Sequence, residues 1–110
     1  MKTAIASQSS TTESQIDKHF GKCSCFIIYD NISRTYEVID NPAKSIPGCK
    51  GDVIVNELLE KNVKQVIAGD FGTIVQQLLN GHNIQMVIYP DTQIRVSEII
   101  KLILINSIKI

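Results

Sequence analysis

Apolar residues along this chain cluster in short runs, and their spacing changes character near the middle. Lys2 to Ala6 reads as a short, largely buried first strand, and Cys25 to Tyr29, a dense apolar and aromatic run, as a central second strand. Asp30 to Arg34 supplies turn chemistry, so Thr35 to Asp40 is the returning strand of a hairpin. Beyond Asn41-Pro42 the period lengthens. Ile54, Val55, Leu58 and Leu59 fall at helical spacing to about Lys61, with Asp52 the expected N-cap. Val63 to Ala68 is a fourth strand. Thr73 is the expected cap of a second helix that turns Ile74, Val75, Leu78 and Leu79 inward and ends near Gly81. Ile84 to Tyr89 is a fifth strand, and Val96, Ile99, Ile100, Ile103 and Leu104 mark a last amphipathic helix.

Two polar stretches interrupt this pattern: the Ser- and Thr-rich loop Ser7–Gln15, and the loop Ala43–Gly51. Strand and helix alternate through the second half, which implies parallel strands joined by right-handed crossovers. With strand two antiparallel to strand one, the loops at one edge of the sheet are Ser7–Ser24, Asn41–Gly51 and Gly69–Gly72. These carry His19, Cys23, Cys49 and Asp70, with Cys25 at the start of strand two. All three cysteines and one of the two histidines therefore converge where open α/β sheets bind ligands.

At 110 residues the chain is expected to form one domain, residues 1–110, with one modest core. Its 44% hydrophobic and 20% charged residues are those of a globular protein. Eleven basic and eleven acidic residues cancel, so no net field draws a phosphate backbone, and a nucleic-acid partner is not expected. Ala4-Ile5-Ala6 is too short for the core of a signal peptide. Lys101, Asn106, Ser107 and Lys109 break the apolar tail well short of the ~20 residues of a membrane span. A soluble cytoplasmic protein with reduced thiols is expected, with no membrane partner.

The candidate chemistry lies in "DKHFGKCSC", residues Asp17 to Cys25. Histidine and cysteine suit zinc, copper, iron or a metal–sulfur cluster, but this spacing is specific to none of them. Cys25 reads equally well as a buried core residue. Strand alternation would turn Cys23 and Cys25 to the same face. A Cys-x-Cys redox pair lacks the helix N-terminus that lowers thiol pKa. Gly69-Asp70-Phe71-Gly72 sits where a strand meets a helix, so its amides could hold an anion, or its glycines could simply permit a turn. His82, Asp30 and Asp40 read as solvated or turn-capping residues.

Enzyme signatures are missing. The strand order resembles the ribonuclease H architecture, whose nucleases need several carboxylates around two metals, yet "KTAIAS" offers no acid there. There is no nucleophile elbow, phosphate-binding loop or dinucleotide fingerprint.

Several segments together, "KTAIAS", "DKHFGKCSCFIIYD", "VIDNPAK" and "VKQVIAGDFGTIVQQLL" followed by "NIQMVIY", closely resemble the dinitrogenase iron–molybdenum cofactor biosynthesis family, from Lys2 to about Leu104. The most telling pieces are His19–Cys23, Asn41–Ala43 and Ala68–Gly72. The resemblance implies a three-layer, ribonuclease H-like α/β fold without nuclease chemistry, its mixed sheet in the order 3-2-1-4-5 with strand two antiparallel. Some members carry iron–molybdenum cofactor or its precursor, and others hold a molybdenum–copper sulfide cluster.

By the same resemblance His19 matches the histidine of the cofactor-binding His-Phe-Gly motif, completed here by Phe20 and Gly21. Cys23 matches a cysteine found in some members, and Gly69, Asp70, Phe71 and Gly72 match the loop facing that motif. Cys25 stands where an aromatic is more usual, Cys49 where the pattern has no thiol, and the apolar ending after Leu104 where a polar one is usual. The extra thiols could add soft ligands, and the tail could mark a packing surface for a dimer.

The expectation is a non-catalytic carrier of a metal or metal–sulfur cluster, with cluster donor and acceptor proteins as partners, as a monomer or weak homodimer. His19, Cys23, Cys25 and Cys49 are the expected metal ligands. Two alternatives are a metal-free interaction module of the same fold, and a simple zinc or copper protein.

Overall fold

In a computed structural model, described for residues 1–44, 46 and 51–106, five strands form one mixed sheet in the order β3-β2-β1-β4-β5. The strands are β1 (Lys2–Ser7), β2 (Cys25–Asp30), β3 (Thr35–Asp40), β4 (Val63–Ala68) and β5 (Gln85–Ile88). β1 pairs with β2 antiparallel and with β4 parallel, and β4 pairs with β5 parallel. The expected fold and sheet order are those observed. Cys49 and the tail beyond Asn106 lie outside the described residues.

Side-chain alternation along the strands divides the core in two. On one face Ala4, Ala6, Phe26, Ile28, Val66 and Ala68 pack against Ile54, Val55 and Leu58 of α1 (Gly51–Glu60) and Val75 and Leu79 of α2 (Thr73–Gly81). On the other, Ile5, Ile27, Tyr29 and Ile67 meet Val96, Ile99 and Ile103 of α3 (Val96–Asn106). The small side chains of Ala4 and Ala6 belong to the central strand, on the face that carries two helices. Gly51 has a similar use: a Cβ there would lie 2.9 Å from a Cγ2 of Val75, so glycine lets α1 approach α2.

Both expected helix caps fall elsewhere. α1 already includes Gly51, which puts Asp52 within its first turn. The N-cap of α2 is Gly72, with no side-chain cap, and Thr73 is the first helical residue. β5 is also shorter than the apolar run that announces it. Ile84 donates its N–H to Leu79 O at the end of α2 (2.9 Å), and so belongs to the turn.

Candidate functional site

The site is assembled at the C-terminal ends of β1 and β4. Beyond β1 the polar loop folds back on itself: Gln8 N–H donates to Gln15 O, and Ile16 is fully buried on the α3 side of the sheet. The chain then runs beside the sheet, with Asp17 N–H donating to Ala6 O (2.8 Å) and Gly69 N–H to Asp17 O (3.1 Å). His19 bridges to Asp70, and Phe20 N–H donates to Asp70 O (3.2 Å). Gly69 is required for this contact. A Cβ there would lie 2.7 Å from Thr92 Cγ2 and 2.9 Å from the Cα of Lys18.

Phe20 opens a single 3₁₀ turn, Phe20–Lys22, and buries its ring against Phe26 and Phe71, with centroids 5.1 Å away in each case. Three rings on three segments thus lock the two site loops together. With Phe20 turned inward, its neighbour His19 is left exposed. The backbone N–H of His19 donates to Asp17 Oδ1 (2.9 Å), which fixes the approach to the turn.

His19 and Asp70 line a cleft of about 580 Å³ together with Phe20, Gly21, Lys22, Ala43, Gly51, Ile54, Gly72 and Val75. Its far wall is the start of α2. With glycine at the cap and no acidic residue in the first turn, that helix start presents amides with no side-chain acceptor. The Asp70 carboxylate accepts from Phe71 N–H (2.8 Å) and Gln76 Nε2 donates to Phe71 O (2.9 Å), so the loop leading into α2 is itself hydrogen-bonded. A Cβ on Gly21 or Gly72 would meet nothing within 4 Å, which leaves bare backbone facing open space.

The thiols are placed differently from the histidine. Cys23 is buried in the core cluster on the helix α1/α2 side. Cys25 shares the face of Ile27 and Tyr29, and its Sγ donates to Ser9 O (2.9 Å). The expectation that both point to one face is corrected: Cys23 precedes β2, so strand alternation does not govern it. Neither thiol lines the cleft. Burial pushes the Cys23 thiol far above its ordinary range, and the nearby charges of Asp17 and Cys25 push the same way. Burial also raises Cys25, partly offset by a hydrogen bond from the Ser7 hydroxyl. Among the described residues no three His, Cys, Asp or Glu side chains come together to hold a metal ion.

Phe71 likewise belongs to the core rather than to the cleft lining. Lys22, Ala43, Gly51, Ile54 and Val75 also line the cleft, though the sequence marks none of them as a ligand or binding residue; the tertiary packing of α1 on α2 brings the last three there.

The pattern described as "Dinitrogenase iron-molybdenum cofactor" matches residues 1–104. The chain belongs to this family. Among solved structures, the apo form of the orange protein from Desulfovibrio gigas shares the fold. Its TM-score is 0.83 at 19% identity, over 94% of this chain and 86% of that one. A candidate NifB protein from Thermotoga is 27% identical with a TM-score of 0.75, over 92% and 84% of the two chains. A candidate dinitrogenase from Methanocaldococcus jannaschii is 18% identical with a TM-score of 0.66, over 94% and 88%. No curated protein sequence matches significantly. No helix among the described residues is long and apolar enough to cross a membrane.

Proposed function

We propose that this member of the dinitrogenase iron–molybdenum cofactor family is a non-catalytic carrier. Its cargo is an anionic metal–sulfur cluster: iron–molybdenum cofactor, its precursor, or a related molybdenum-containing cluster. The observation that carries this reading is the placement of an exposed imidazole, His19, in the same cleft as the uncapped start of α2.

The residues present fit such a cargo. A cluster with negative charge on its sulfides is favoured by free amides at a helix start and by the cation of Lys22, against the opposing Asp70 carboxylate, which is partly compensated by accepting from Phe71 N–H. Gly21 and Gly72 allow close approach to backbone, while Phe20, Ile54 and Val75 lower the local dielectric and strengthen each polar contact. His19 would supply the one ligating nitrogen. Among the described residues, with Cys23 and Cys25 protonated in the interior, the ligand offered to the cleft is the His19 imidazole, and so sparse an attachment suits a cluster that is received from a donor protein and passed to an acceptor.

Anaerobic gel filtration of the apo-protein with isolated iron–molybdenum cofactor tests this. Molybdenum and iron should elute with the protein in near-equimolar amount to the chain, and His19→Ala should weaken retention at least tenfold, on the order of 1.4 kcal/mol. Co-elution that survives His19→Ala removes that residue from the ligand set. A chain that retains neither metal is instead a metal-free interaction module.

A further inference from the structure

Among the described residues Asn41 is one of four buried polar ones, at 3% exposure, and it sits just past the end of the edge strand β3, where nothing in the sheet requires an amide. Its side chain uses all its hydrogen-bonding groups locally. Nδ2 donates to Gly21 O (3.2 Å) and to Cys23 O (3.0 Å), and Oδ1 accepts from Ala43 N–H (2.9 Å). Its backbone adds two more bonds: Asn41 N–H donates to Ser24 O (3.2 Å), and Lys44 N–H donates to Asn41 O (3.0 Å). Gly21 and Ala43 both line the cleft, so one side chain joins two of its walls.

From this geometry we infer that Asn41 is the positioning residue of the cleft, bracing the 3₁₀ turn that presents His19. The turn is held at two points. Asp70 O accepts from Phe20 N–H on the side of β4, and Asn41 holds Gly21 O and Cys23 O on the side of β3. Without Asn41, two carbonyls of a short turn lose their donor together, and the stretch between the buried Phe20 and Cys23 loses its hydrogen bonds on the side of β3. The arrangement also fixes the residue type. Aspartate has the same shape and could still accept from Ala43 N–H, but it would set an anionic oxygen against two carbonyl oxygens. The bracing is a property of the free protein; its consequence for binding rests on the cluster-carrier reading.

The test uses the full chain, labelled with nitrogen-15, and the variants Asn41→Ala and Asn41→Asp. Backbone order parameters of Phe20 to Cys23 should fall from about 0.85, the rigid range, to below about 0.6, while those of β1 and β4 stay unchanged. With isolated iron–molybdenum cofactor as probe, each variant should bind at least tenfold more weakly. In a His19→Ala background the same substitutions should cause no further loss, since Asn41 acts through the turn that carries that imidazole. An undisturbed turn in both variants would overturn the inference, as would a binding loss that persists in full without His19. Should Asn41→Ala not fold, the isosteric Asn41→Asp decides on the same readouts. A wild-type chain that ignores the probe would refute the carrier reading alone, because the order parameters still decide whether Asn41 braces the turn.

Discussion

Gly69 and Gly72 stand at the two ends of one short loop and have different physical roles. At Gly69 a methyl group would run into the backbone of Lys18, which cannot rotate away, as well as Thr92 Cγ2. Gly69→Ala should therefore cost about 1–3 kcal/mol through overpacking. Gly72→Ala, whose methyl meets nothing within 4 Å, should stay within about 0.5 kcal/mol of wild type. Urea denaturation of the two variants separates them, and equal midpoints would contradict this account of the loop. The thiols give a second prediction at this scale. Burial raises Cys23 above its ordinary value of 9.0, so the unfolded chain releases that proton before the folded one does. The folded state then binds more protons above pH 9, and stability falls as pH rises, by up to about 1.4 kcal/mol per pH unit. Below about pH 8 this contribution is flat. Cys23→Ala should remove the alkaline loss attributable to this thiol, and unfolding midpoints measured from pH 7 to 10 check it.

At the scale of elements, both faces of the sheet hold core, and the cleft opens on one of them. The cleft draws on α1, α2 and the loops of one face and edge, whereas α3 seals the other face with Val96, Ile99 and Ile103. Ile99→Ala should therefore cost about 2–5 kcal/mol, by lost transfer energy and a residual cavity, and leave cluster affinity unchanged in the folded protein. A tenfold affinity loss at a temperature where the variant is fully folded would show that the faces are coupled. The hydrophobic pattern made this layering legible, because a two-residue period and a 3.6-residue period mark strand and helix independently of context. Helix starts were less legible. Asp52 and Thr73 are good caps in isolation, but close packing of Gly51 on Val75 draws residue 51 into α1, and Gly72 takes the N-cap position of α2. The expectation that Cys23 and Cys25 share a face fails for a related reason. The sequence shows a Cys-x-Cys spacing, yet Cys23 lies in the segment before β2, where the chain has no period for alternation to act on. Asn41 was visible only as part of a motif, since its role depends on carbonyls 18 and 20 residues earlier in the chain.

For the whole molecule, formal neutrality leaves the cleft's local donors to set its preference for anions. Helix amides, Lys22 and an imidazole act over a few ångströms, within the Debye length of about 10 Å at 0.1 M salt. The carrier proposed above would gain from this, since its cargo would be held at one edge of the sheet and released there. Tetrathiomolybdate, a diamagnetic molybdenum–sulfur dianion, can be titrated into nitrogen-15-labelled protein while amide shifts are followed. The account predicts saturable shifts confined to His19–Lys22 and Gly72–Val75, with the His19 ring moving in step. Shifts centred on β3 or α3, or none at all up to millimolar probe, would contradict it.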